Sequence, residues 1–162
     1  MTIPIVLTTI ALAIGGPDAA REYPTNTFSL TAGQNHFRGA WDNETIGFNY
    51  YGPELFLGVV VVGLDYMGEG STYFRVGHHQ QFSLGDDWLL GAQYGLGIYS
   101  RGTGPDLGRG VSTIFYAQTG LGYSITDNSN VWLWATHHSN FNRGESNPTM
   151  WGLKIELTIN FN

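Results

Sequence analysis

From Trp151 to Asn162 apolar and polar residues alternate without a break. Trp151, Leu153, Ile155, Leu157, Ile159 and Phe161 fall on one parity, and Gly152, Lys154, Glu156, Thr158, Asn160 and Asn162 on the other. Successive side chains of a β-strand point to opposite faces, so this stretch predicts a strand with one apolar and one polar face. The same period of two recurs upstream. Within 87–99, Trp88, Leu90, Ala92, Tyr94, Leu96 and Ile98 oppose Gly91, Gln93, Gly95 and Gly97. Within 111–125, Phe115, Ala117, Leu121 and Tyr123 oppose Ser112, Gln118, Gly120, Gly122 and Ser124. Bounding such runs by turn residues predicts eight strands: 27–38, 44–51, 54–66, 72–83, 87–99, 111–125, 129–139 and 150–161. The third, around Val59 to Val62, is apolar on both parities and less diagnostic.

The connections alternate in length. Short links are read at Gly52-Pro53, at Leu84 to Asp86 and at Thr126 to Ser129. Longer ones are read at Gly39 to Asn43, Ser100 to Gly110 and Asn140 to Thr149, with Met67 to Ser71 intermediate. An even strand count with short turns at one end and long loops at the other is the pattern of bacterial outer-membrane barrels. With the N-terminus inside, the odd-to-even links face outward. The expected fold is therefore all-β: an eight-stranded antiparallel up-and-down transmembrane β-barrel. A soluble lipocalin-like barrel shares the periodicity, because parity alone does not say which face is inside.

Composition separates the two. Charged residues are 12% of the chain, about half the ~25% of an ordinary globular protein. Aromatics reach 14% and there are 23 glycines, which suits a lipid-facing wall around a narrow interior. A net charge of −6 argues against nucleic acid as a partner. With no cysteine, disulfide and thiol chemistry are absent. Residues 1–20 differ from the rest. Ile3 to Gly16 is mostly apolar and is followed by Pro17-Asp18-Ala19-Ala20 and then Arg21. This resembles a signal-peptide core with a cut after Ala20, leaving 21–162 as a single barrel domain. The alternative is an extra strand or plug segment. The run is shorter than the ~20 residues of a transmembrane helix, so the chain is expected to cross a membrane only as a closed barrel.

His137 and Ser139 stand two apart near the end of the seventh strand and so share a face, with Cα atoms about 6.6 Å apart. That spacing lets an imidazole nitrogen approach a serine hydroxyl, as activation of a nucleophile by a general base requires. Their face continues as Ala135, Leu133 and Val131, which makes it the membrane side. His138, Thr136, Trp134 and Trp132 are expected to point inward. By itself, a His-x-Ser pair at a strand end is more often plain interfacial polarity.

The segment His137-His138-Ser139-Asn140, followed by Asn147-Pro148 and the final alternating strand, resembles the lipid A 3-O-deacylases of the PagL family. The family pattern is His-x-Ser-Asn, an asparagine eight residues after the serine and a glutamate four further on. The resemblance implies an outer-membrane serine esterase that removes the ester-linked 3-O-acyl chain of lipid A. Ser139 would be the nucleophile and His137 the base, with Asn140 and Asn147 supporting the oxyanion. It implies no cofactor and no metal. By the same resemblance lipopolysaccharide would be the substrate and outer-membrane lipid the surroundings, with a homodimer an open option. One position departs from the pattern: the glutamate falls at 151, which is Trp151. Glu145, in the preceding loop, is the candidate replacement, and a His–Ser dyad the alternative. From another functional class, a non-enzymatic barrel serving structure or adhesion fits the same architecture.

The other motifs carry less. His78-His79 and His137-His138 lie on different strands with no sign of convergence on a metal. Gly102 to Gly110 lacks the Gly-Lys-Ser/Thr end of a phosphate loop and reads as an outer loop. Trp132 and Trp134 read as interior filling, and Trp41, Trp88 and Trp151 as interface aromatics.

Overall fold

The computed structural model describes residues 25–37, 40–103, 111–140 and 149–161; the side chains of 40–42 and 149 are not described. The expected leader at 1–20, Glu145 and Asn147 lie outside the described residues. Eight strands follow in order: β1 (Thr27–Phe37), β2 (Ala40–Glu54), β3 (Val59–Met67), β4 (Ser71–Ser83), β5 (Trp88–Ser100), β6 (Val111–Thr126), β7 (Ser129–Ser139) and β8 (Thr149–Asn160). Each pairs antiparallel with the next, and β8 returns to β1, with Leu30 opposite Leu157, to close the barrel. Nine to sixteen residues per strand are enough to cross the apolar layer of a membrane at a tilt.

Two expected boundaries are corrected. Gly52-Pro53 is not the second link. It lies within β2, where the register jumps from Tyr51↔Val61 to Glu54↔Val59. Two residues there face one, which is a bulge, and a bulge tolerates a proline that has no N–H for the ladder. The chain reverses afterwards, at 55–58, where the Leu55 N–H donates to the Gly58 carbonyl at 2.8 Å. Nor is Gly39 to Asn43 a long loop, since β2 already begins at Ala40. The polar residues Asp42 and Asn43 suggested a break, but Asn43 pairs with Asn35 on β1, and polarity does not end strand pairing above the lipid. The two longest connections are 101–110 and 140–148, both at the end of the barrel opposite Thr27 and Asn160. That end is the outer one.

The wall is apolar outside and polar inside, so the lipocalin-like alternative fails. Leu30, Ile46, Leu64, Val76, Leu96, Leu121, Leu133 and Ile155 are exposed around the girth. Phe28 meets Phe48, Tyr50 and Phe161 at centroid distances of 5.5, 5.0 and 5.7 Å, and Trp88 meets Tyr123 at 5.2 Å. These rings form an aromatic girdle at the inner interface. Ile155→Arg, near the middle of β8, is expected to cost about 2–4 kcal/mol of stability in a bilayer. Reversible unfolding in lipid vesicles measures it, and a cost below about 0.5 kcal/mol would contradict the lipid-facing assignment.

Inside, polar side chains are paired across the lumen. Asp65 accepts from Lys154 Nζ at 2.9 Å and from Arg75 Nε at 3.2 Å. Arg75 also donates to Asn49 Oδ1 at 2.7 Å and lies over the Tyr116 ring. Glu156 accepts from Tyr51 at 2.6 Å, Asn49 at 3.0 Å and Trp134 Nε1 at 2.5 Å, and from Ser29. Two cationic and two carboxylate side chains thus balance in a buried cluster. Trp132 and Trp134 stack at 4.9 Å, as interior filling. Glycine makes room for them: a Cβ at Gly91 would lie 2.5 Å from Trp134 and 2.7 Å from Trp132. Towards the outer end Met67, Tyr73, Tyr99, Ile114, Tyr116 and Met150 pack into an apolar cluster. Packed side chains thus occupy the lumen along the described strands.

Candidate active site

Strand β7 alternates cleanly. Trp132, Trp134, Thr136 and His138 are buried, while Leu133 and Ala135 are exposed and His137 and Ser139 are half-buried. His137 and Ser139 therefore share the outer face, at the strand's outer end, above an apolar column. Their neighbours are fixed by register. On β6, Ala117 stands opposite His137 and Phe115 opposite Ser139; on β8, Trp151 and Thr149 stand opposite the same two. His138 points inward, 2% exposed, with its ring edge-on to Tyr73 at 5.3 Å.

The expected site residues divide into two groups. His137 and Ser139 are brought to one face. Asn140 follows directly and is buried at the rim, 5% exposed. Glu145 and Asn147 belong to the undescribed loop. At the position of the family's glutamate, the Trp151 ring lies against the His137 ring, centroids 4.3 Å apart and planes at 35°. An indole thus stacks against the imidazole of the candidate base. Beyond Trp151, on β1, the register brings His36 alongside. Sequence reasoning missed His36, whose only sequence signal is its outward parity at the end of β1.

The second histidine pair is split in the same way. His79 is buried, edge-on to Tyr51, Trp132 and Trp134 at 5.1, 5.8 and 6.0 Å. His78 sits on the outer wall between the Tyr94 hydroxyl, 3.3 Å from Nδ1, and the Leu55 carbonyl, 2.8 Å from Nε2. Each His-His pair straddles the wall, so neither can chelate through both rings. Among the described residues no cluster of three metal-ligating side chains forms.

No protein-family model matches the chain, and no curated protein matches it. Solved structures do. A de novo designed transmembrane β-barrel superposes with a TM-score of 0.62 at 11% identity, covering 86% of this chain and 98% of the design. The N-terminal barrel domain of Pseudomonas aeruginosa OprF gives 0.55 at 17% identity, covering 83% and 98%. The outer-membrane enzyme PagL gives 0.53 at 17% identity, covering 83% and 99%. At these identities the likeness is one of fold: the chain is a closed eight-stranded membrane β-barrel of the kind these three proteins share.

Proposed function

We propose that this barrel is an outer-membrane serine esterase that removes the ester-linked 3-O-acyl chain of lipid A. One observation carries the reading. His137 and Ser139 share the lipid-facing side of β7 at its outer end, where an ester in the outer leaflet would arrive laterally. The wall below them is apolar, as acyl chains require, and the rim above is polar. His137 takes the Ser139 proton as Oγ attacks the acyl carbonyl, then returns it to the departing sugar oxygen. Water repeats the cycle to free the fatty acid. Asn140 and Asn147 are the candidate donors to the oxyanion, where preorganised hydrogen bonds matter most. Mass spectrometry of lipid A from cells with and without expression tests the activity. Loss of one 3-hydroxyacyl mass is the expected result, and unchanged lipid A refutes it.

The acid is the open position. Under a triad completed from the loop, Glu145→Gln lowers the rate at least about tenfold, or roughly 1.4 kcal/mol of transition-state stabilisation. Under a dyad, Glu145→Gln is silent and Trp151→Glu raises the rate. Deacylation rates on one lipopolysaccharide, at matched folding, separate the two. A second reading, a non-enzymatic barrel serving structure or adhesion, is favoured by Trp151 standing where the family has its acid. No activity in any variant, Trp151→Glu included, is its signature.

A further inference from the structure

The indole against the candidate base is more than a lost carboxylate. We propose that Trp151 is a positioning residue that replaces the electrostatic half of the acid's role: its ring face stabilises the imidazolium form of His137. The proposal rests on the deacylase reading for its place in catalysis, but not for its physical content.

When Ser139 attacks an ester, its O–H bond breaks, an N–H bond forms on His137, and Oγ bonds to the acyl carbon. The carbonyl π pair moves onto oxygen. Until the proton passes to the departing sugar oxygen, His137 is a cation. In a Ser-His-acid triad a carboxylate stabilises that cation and fixes the ring. An aromatic face does the first through its quadrupole, for a cation within about 6 Å of the centroid, and more strongly where water is excluded. The His137 and Trp151 centroids are 4.3 Å apart, and His137 is half-buried on an apolar wall.

Among the described residues of β6, β7 and β8 around His137, the indole is the one group that presents an aromatic face to it at ring-contact distance. From β6, His137 faces Ala117, flanked by Phe115 and Thr119, none of them titratable. From β8 it faces Trp151, flanked by Thr149 and Leu153, again none titratable. On its own strand the outward neighbours are Ala135 and Ser139, and His138 points inward. His36 lies on the far side of the indole. A ring-to-ring contact of this kind does not itself use the in-plane hydrogen bonds of the imidazole. A tryptophan also suits this height in the membrane, where a carboxylate on the lipid side is costly and an amphipathic ring is not.

The test is the His137 titration, followed by NMR on the folded barrel in detergent micelles, for the wild type, Trp151→Phe and Trp151→Leu. Leucine covers the imidazole face with no quadrupole. The His137 midpoint is expected to fall by about half to one pH unit in Trp151→Leu, and by less than half that in Trp151→Phe. The acid limb of the deacylation profile should move the same way, with the plateau rate down about three- to tenfold. Heat-dependent gel mobility checks folding; if Trp151→Leu does not fold, the Trp151→Phe shift decides. A midpoint that is unchanged or higher in the variants overturns the proposal. If wild-type protein releases no acyl chain, the deacylase reading fails while the titration still decides whether Trp151 stabilises the cation.

Discussion

Ser139→Ala is expected to abolish deacylation while the barrel still folds. The substitution removes one hydroxyl from a half-buried position at the rim of β7, outside the packed lumen. It also removes the nucleophile of the acyl-transfer step. The rate should fall at least about 10³–10⁴-fold, or roughly 4–5.5 kcal/mol of transition-state stabilisation. His137→Ala should match it, and the double variant should be no worse, because nucleophile and base act as a unit. His138→Ala is the control. Its ring is buried against Tyr73, so its loss should lower stability and change the rate per folded molecule by less than about threefold. Lipid A mass spectrometry gives the rate, and heat-dependent mobility on gels gives the folded fraction. Full activity in Ser139→Ala, or a dispensable His137 beside an essential His138, would put the chemistry somewhere other than the outer face of β7.

Parity was the legible part of this sequence, and it was legible for a physical reason. A wall between lipid and a narrow lumen forces every second residue to be apolar, so β5, β6, β7 and β8 could be read directly. His137 and Ser139 followed from the same rule. Where one of the two solvents is missing, the rule weakens. Above the lipid the outward positions of β2 need not be apolar, so Gly39 to Asn43 looked like a loop. Gly52-Pro53 looked like a turn because a proline in a strand is the exception, and only the register jump shows it to be a bulge. Partners inside the lumen were illegible. Asp65 and Lys154 are 89 residues apart and sit on β3 and β8, which are not neighbours in the sheet. Meeting across the lumen depends on tilt and curvature, which alternation does not encode. At the site, the short motif showed that Trp151 occupies the glutamate position. That its ring lies against His137 depends on the β7–β8 register. Glu145 and Asn147 fall in a stretch with no period at all, where spacing alone carries no geometry.

Asp65→Ala is expected to be the most destabilising change in the lumen. Asp65 is fully buried and ties together two cations, Arg75 at 3.2 Å and Lys154 at 2.9 Å. Removing it leaves the interior with two cations and one carboxylate, Glu156. Arg75 keeps Asn49 and the Tyr116 ring, whereas Lys154 loses the oxygen it donates to. Breaking a buried ion pair on one side costs about 3–5 kcal/mol, because a desolvated charge is left uncompensated. Removing both ends costs less than removing one, since replacing a buried pair by apolar groups is often close to neutral. Asp65→Ala combined with Lys154→Met should therefore be more stable than Asp65→Ala alone, by about 1–2 kcal/mol. Denaturant unfolding in the same detergent measures all three proteins. The lumen and the His137–Ser139 face lie on opposite sides of the wall, so the rate per folded molecule should change little. A single variant that loses less than about 1 kcal/mol, or a double variant no better than the single, would mean that water reaches Lys154 and the lumen is not closed.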